Sequence, residues 1–215
     1  MASTYLTRTQ VAGNRSTFTQ SFWFKLSNTG DQAFISTFND SNNYNYCYLD
    51  SSTQQLNLQW KKSGSVVAQK NTTRKFTDPS AWYHVVYAID TTQASGGDRI
   101  KLYVNGVLET EFSSNIAPGQ ITTEVNDNGT TQYIGSVDGS QQFFDGSMSY
   151  VAQIDGTAEL PTVFGETDAT TGEWKIKTTI TPSVAWGNNG FLVLKDGNSL
   201  TDASPNSNNF TVAGG

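Results

Sequence analysis

The chain has a single histidine, His84, and a single cysteine, Cys47, and these two counts limit its chemistry first. A histidine-rich zinc site needs a second imidazole, and a thiolate site needs clustered cysteines, so neither can form. No G-x-S-x-G segment presents a serine for His84 to activate. In "AWYHVVYAID" (81–90) His84 alternates with Trp82 and Val86. That period of two predicts a strand on which the imidazole packs, hydrogen-bonded, at a sheet surface. Cys47 alone excludes an internal disulfide and the C-x-x-C spacing, and reads as a buried small apolar residue.

Paired carboxylates are the other route to catalysis. A retaining glycosidase holds two about 5 Å apart, which alternate positions on one strand face supply. "GETDATTGE" offers Glu166, Asp168 and Glu173, but Gly, Thr and Ala dominate it and no apolar face alternates with the acids. "LETEF" offers Glu109 and Glu111 on one face of a hairpin's second strand, where acids at a sheet edge guard against aggregation. The expectation is a protein that is not an enzyme.

Metal chemistry has weak signals. Asp138-Gly139, Asp145-Gly146, Asp155-Gly156, Asp196-Gly197 and Asn189-Gly190 place oxygen ligands on tight turns, which suits calcium, yet turn formation alone explains them. "EVNDNG" (124–129) mimics part of an EF-hand loop, but Glu124 replaces the first Asp and Gly135 stands where the closing Glu belongs. No cofactor is expected, and calcium in a loop is the one metal left open.

Aromatic spacing gives the more specific surface candidate. "YNYCY" sets Tyr44, Tyr46 and Tyr48 on one strand face. Either their rings pack on the core with hydroxyls at a polar rim, or they form an exposed ladder for sugar stacking or a subunit interface. With Trp23 and Trp60, these tyrosines are the candidate glycan-stacking residues.

The elements that position these residues are strands. "FTQSFWFKL" sets Phe18, Phe22, Phe24 and Leu26 on a core face, with Thr19, Ser21, Trp23 and Lys25 opposite. "QAFISTF" (32–38), "YNYCYLD" (44–50), "QLNLQWK" (55–61), "SVVAQK", "IKLYV", "VLETEF", "TQYIGS", "SMSYVAQI", "GFLVLK" and "NNFTVAG" follow, separated by turn-forming clusters. Asn105-Gly106 predicts a type I′ hairpin. "AELPTVFGE" suits one helical turn capping a sandwich edge, and "TDATTGE" reads as loop. The fold class is all-β, a jelly-roll sandwich of two antiparallel sheets with one short helical turn, and residues 1–215 are expected to form one domain.

Of the 215 residues only 15% are charged, and the net charge is −6. Counterion release from nucleic acid needs a basic stripe, so no nucleic-acid partner is expected. "MASTYLTRTQ" carries no apolar export segment, and no apolar run approaches bilayer length, so membrane insertion is not expected.

"STFTQSFWFKL", "AWYHVVYAIDTT…DRIKLYVNGV", "QYIGSV" and "FFDGSMSYVAQIDG" resemble, in order, the strand signatures of laminin-G-like (concanavalin A-like lectin/glucanase) domains over about residues 5–165. The resemblance implies a two-sheet jelly roll in which the His84 strand and the Asn105-Gly106 hairpin are scaffold. "FLVLKDGNSLTDASPNSNNFTVAGG" (191–215) is similar to the segment that usually begins such domains. Residues 191–213 are therefore expected to pair beside the N-terminal strands and close the sandwich. "VFGETDATTGEWKIK…GNNGFLVL" is also similar to virion surface proteins of marine tailed bacteriophages, fibres and capsid decorations. That resemblance implies assembly in the host cytoplasm, a place on the virion surface, other virion proteins and host-surface glycan as partners, and a homo-oligomer, with a trimer favoured. A free carbohydrate-binding module and, behind it, a glycan hydrolase on the same fold are the alternatives.

Overall fold

The architecture follows from the alternation in β2 (Thr17–Leu26). Phe18, Phe22, Phe24 and Leu26 point to one side and are buried. Each such side chain contributes about 1.5–3 kcal/mol on burial. In the computed structural model, which describes residues 3–215, that side faces a second sheet, and all strand pairings are antiparallel.

The larger sheet has eight strands. In spatial order they are β10 (Phe112–Ile116), β6 (Ser65–Lys75), β5 (Gln55–Lys62), β4 (Asn43–Leu49), β3 (Gln32–Asp40), β11 (Thr131–Ile134), β1 (Tyr5–Thr9) and β16 (Thr211–Ala213). The six-stranded sheet runs β15 (Phe191–Val193), β12 (Gly146–Asp155), β2, β7 (Tyr83–Asp90), β8 (Ile100–Val104) and β9 (Val107–Leu108). Between them lies the main core, where Phe22 stacks on Phe34 and Phe24 packs on Phe34 and Phe76. The result is an all-β jelly-roll sandwich, and no helix among the described residues is long and apolar enough to cross a membrane.

The Asn105-Gly106 hairpin has the expected geometry, with φ of 48° and 80° and Val104 paired to Val107. "VLETEF" departs from expectation. Its strand stops at Leu108 and β10 begins at Phe112, because residues 109–111 cross from one sheet to the other. Glu109 and Glu111 therefore share no strand face.

Residues 157–190 also differ from the sequence reading. The expected helical turn is present at Pro161–Val163, in addition to another at Gly96–Asp98, but it leads into a hairpin, β13 (Gly165–Thr167) with β14 (Trp174–Ile176). Instead of capping an edge, this segment lies on the outer face of the six-stranded sheet. Phe164, Val163, Ile180 and Trp186 cover Val86, Ala88, Tyr103, Ala152, Ile154 and Leu192 there in a second core. That cover explains why Thr19, Ser21 and Trp23, on the outer side of β2, are buried too. The alternation of β2 separates two cores, not core from solvent.

Residues 191–213 divide between the sheets. β15 pairs with β12, and β16 pairs with β1 through Leu6 and Val212. Buried Asp202 shapes the crossover, accepting hydrogen bonds from the backbone N–H groups of Leu192, Ser204 and Asn208.

At one end the main core turns polar. Gln20 and Gln132 both donate to Gln153 Oε1 (2.9 and 2.7 Å), and Gln153 Nε2 donates to Asn126 Oδ1 at 2.8 Å. Asn126 Nδ2 donates to Asp155 Oδ1 (3.0 Å), whose Oδ2 accepts the Asn189 N–H. Arg8 Nη2 donates to Asn189 Oδ1 at 3.0 Å, and Nη1 reaches Gln132 Oε1 at 3.4 Å, which closes the circuit. Burial draws the Arg8 guanidinium down to about 10, while Asp202 and Asp155 hold it up. It therefore stays charged at neutral pH.

Removing one member of a buried circuit leaves the others without partners, at about 1–3 kcal/mol for each stranded group. Asn189→Ala strands the Val11 N–H and carbonyl as well as Arg8. The expected outcome is a loss of about 3 kcal/mol in unfolding free energy by chemical denaturation; a loss below about 0.5 kcal/mol would mean that the circuit does not tie the C-terminal segment to the sandwich.

Candidate functional site

His84 sits on the outer side of β7 beneath the β13–β14 hairpin, completely buried rather than at a sheet surface. Trp174 Nε1–H donates to His84 Nδ1 at 2.9 Å. Nδ1 is therefore the bare nitrogen, and Nε2 carries the proton that it shares with Ser21 Oγ at 2.8 Å. The Trp23 ring stacks on the imidazole at 4.5 Å and 11°. Burial draws the His84 pKa from 6.5 down to about 3. A neutral imidazole with both nitrogens engaged and no path to solvent is a pin between the hairpin and the sheet.

Two of the five aromatic candidates are likewise enclosed. Trp60 belongs to the main core and is 1% exposed, because its alternation with Leu56 and Leu58 places all three inward. Trp23 is 5% exposed, stacked on His84. Neither offers a ring face to a sugar.

The carboxylates are committed to ion pairs and turns. Glu109 pairs with Arg74 at 2.7 Å. Asp168 lies 2.9 Å and Glu166 3.8 Å from Lys175 on the hairpin surface. The hydrogen bond from Lys175 and those from the Thr170 and Thr171 N–H groups hold Asp168 well below the usual carboxylate range, which suits no general acid. Glu173 lies outside the Lys175 pairs. In "EVNDNG", Arg15 pairs with Asp127 (2.9 Å) and approaches Glu124 (3.6 Å), while Asn126 turns into the polar circuit. Asp155 spends both oxygens on protein N–H donors, and Asp138 caps its own turn at Ser140. Among the described residues no three His, Cys, Asp or Glu side chains converge as a metal would need. Cys47 is buried, its thiol directed at Tyr87 Oη and its pKa raised by desolvation.

The open surface is the outer face of the eight-stranded sheet. Tyr44, Tyr46 and Tyr48 alternate with inward Asn45, Cys47 and Leu49, so they lie on that face, half-buried. Tyr44 and Tyr46 stack at 3.9 Å and 9°, Phe38 follows Tyr46 at 6.3 Å, and Lys61 Nζ lies 5.8 Å from the Tyr44 ring. The rings thus cover one another and present edges and hydroxyls. Burial raises the pKa of all three phenols, so each stays a neutral donor. Tyr44 Oη donates to Gln59 Oε1 at 2.7 Å. By register the rows continue as Tyr46–Gln59–Gln69 and Tyr48–Asn57–Asn71, in which Asn57 is buried and donates to the Gln55 carbonyl while Gln69 Nε2 donates to Asn71 Oδ1.

The residues 135–142 fold over the same face, where Ser36 Oγ donates to the carbonyls of Ser136 and Val137. Beyond this ridge lie Tyr133 and Tyr5, with ring centroids 6.0 Å apart. Neither stood out in the sequence. The signal was there, since Tyr133 alternates with inward Gln132 and Ile134 in "TQYI".

The comparisons agree with the fold. Residues 2–163 match the laminin G-like family described as the concanavalin A-like lectin/glucanases superfamily, and the chain belongs to that family. No curated protein is a significant match. Among solved structures, a heptameric SAP-like pentraxin from Limulus polyphemus is 19% identical with a TM-score of 0.52, over 73% of this chain and 71% of its own. The enzymatically active domain of tailspike protein 2 from bacteriophage CBA120 is 12% identical with a TM-score of 0.50, over 70% of this chain and 24% of its own. A sialidase carbohydrate-binding module from Ruminococcus gnavus is 11% identical with a TM-score of 0.46, over 67% and 90%. The first two likenesses show a shared fold.

The His84 pin has a measurable pH signature. The unfolded chain takes up its imidazole proton near 6.5, while the folded chain resists it until about 3. Between those values the unfolded state binds more protons, so stability falls as pH falls, at up to about 1.4 kcal/mol per unit, and His84 adds no slope above 6.5. Denaturation at pH 7, 5 and 4 should show a steeper loss for the native chain than for His84→Gln; equal slopes would show a proton on the folded imidazole.

Proposed function

We propose that this protein is a non-enzymatic surface protein of a tailed-phage virion, a head or tail fibre or a capsid decoration. It displays a lectin-like sandwich whose eight-stranded sheet recognises host-surface glycan. The observation that carries the reading is the asymmetry of the two outer faces. One is largely covered by the 157–186 segment, which leaves a depression beside Ala88, Lys101 and Tyr103, and the other is left open along its tyrosine row. Sugars are arrays of hydroxyls on partly apolar rings, and a face of phenol hydroxyls, aromatic edges and carboxamides, with Lys61 beside Tyr44, offers hydrogen-bond partners to the hydroxyls. Membership of the lectin/glucanase family supports carbohydrate as ligand class, and the resemblance of "VFGETDATTGEWKIK" to marine phage proteins supports the virion setting. Assembly in the host cytoplasm with other virion proteins and mounting as a homo-oligomer, a trimer favoured, complete the proposal.

The test is a broad glycan array, run once with calcium and once with EDTA. Selective binding that survives EDTA is expected, because the open face recruits sugars through neutral groups. The double variant Tyr44→Ala/Tyr46→Ala should bind at least about tenfold more weakly with an unchanged far-UV spectrum. Silence across the array, or binding indifferent to both substitutions, would overturn the reading.

A further inference from the structure

The outer face holds a second feature that the tyrosine ladder does not use, a trough on the far side of the 135–142 ridge. Its floor is β11, β1 and β16, where register aligns Thr131 with Thr9, and Tyr133 with Thr7 and Thr211. Residues 207–209, leading into β16, form its rim, and its volume is about 660 Å³. That falls within the range of small-ligand sites.

We propose that this trough is a separate binding site for an uncharged saccharide. The assignment rests on the reading of the open face as glycan-binding and adds a second, chemically distinct site to it. Its first support is a set of unspent polar groups. Tyr5 Oη, Thr9 Oγ1, Ser207 Oγ and Asn209 Nδ2 line the trough and take no hydrogen-bond partner among the described residues, although Asn209 Oδ1 is committed to the Asp202 N–H. Four free hydroxyl and amide groups around one depression match a ring of sugar hydroxyls.

The rings provide the second support. Tyr44 and Tyr46 close their faces on each other at 3.9 Å, whereas Tyr5 and Tyr133 are tilted by 42° with centroids 6.0 Å apart. Tyr5 also packs on Phe143 (5.9 Å, 31°) and against Gly139, so Tyr133, tilted away from Tyr5 as its aromatic neighbour, is the ring that offers a surface to the apolar side of a pyranose.

Charge selects the ligand. Arg8 is the one ionic side chain in the lining, and both its Nη atoms are spent on Gln132, Asn189 and Asn208. A carboxylate or sulfate entering the trough would shed water and find no free cation, which disfavours charged sugars. The strand β16 and its approach supply one side, so the site exists only when the C-terminal segment is docked.

The experiment uses the full chain, isotope-labelled, titrated with neutral hexasaccharides of α-glucan, β-glucan and galactan type and with hexagalacturonate as the charged arm. Amide shifts of Thr7–Thr9, Thr131–Tyr133 and Thr211–Ala213 should respond to at least one neutral sugar and not to hexagalacturonate. Tyr133→Ala should weaken that response about tenfold or more, and Thr9→Val, an exposed near-isosteric change, should weaken it without touching the fold. The response should persist in Tyr44→Ala/Tyr46→Ala. Shifts confined to β4, β5 and β6 would overturn the trough and leave the ladder reading standing. Preference for hexagalacturonate, or indifference to both trough substitutions, would also overturn it, and silence at both places would overturn both readings.

Discussion

A closed circuit of hydrogen bonds, Gln153 to Asn126 to Asp155 to Asn189 to Arg8 to Gln132 and back, is the constraint on which the sandwich depends. Its members come from both sheets, from the residues 119–130 and from the segment before β15. None of them can be exchanged singly for an apolar residue without stranding a neighbour in a dry interior. The apolar core is tolerant by comparison, since a Phe can be traded for a Leu at the cost of packing. The circuit fixes where the last 27 residues dock, and β16 completes the open face only because Asn189 is tied down.

The outer faces of the two sheets then have opposite fates. Over the six-stranded sheet, Phe164, Trp174 and Trp186 supply a third layer, with the neutral His84 as its polar fastening. Over the eight-stranded sheet, the short 135–142 ridge crosses. Charges are set aside in local pairs such as Arg74–Glu109 and Lys175–Asp168. What is left to meet a partner is mostly neutral, with Lys61 beside the Tyr44 ring, and is hydroxyl-rich and aromatic at its edges. Such a surface gains little from long-range attraction and depends on many short hydrogen bonds.

Much of this was legible in the sequence. The Phe18–Leu26 alternation, the Asn105-Gly106 turn and the outward run of Tyr44, Tyr46 and Tyr48 state their positions through a period of two. Two things were hidden, each for a physical reason. Gln20 is in phase with Phe18 and Phe22, and Gln132 with Ile134, yet an amide reads as outward unless its partners are known, and those partners lie over 20 residues away. The hairpin at 165–176 was unreadable because its strands are three residues long, too short for any periodicity, and are held by Trp174 against β7 rather than by their own pattern. Trp23 was misplaced by the same uncertainty, since an aromatic on the outer side of a strand does not announce whether that side has a cover, whereas Trp60 is in phase with Leu56 and Leu58 and its inward position was legible.

The central claim is that the open face of the eight-stranded sheet is the working surface and the hairpin face is structural. Hydrogen–deuterium exchange of the full chain, with and without purified host-cell surface polysaccharide, tests it most directly. Protection gained over β4, β5, β6 and β11, with β13, β14 and β7 unchanged, is the predicted result. Protection confined to the hairpin side would contradict the account, because the partner would then occupy the face that it assigns to folding alone.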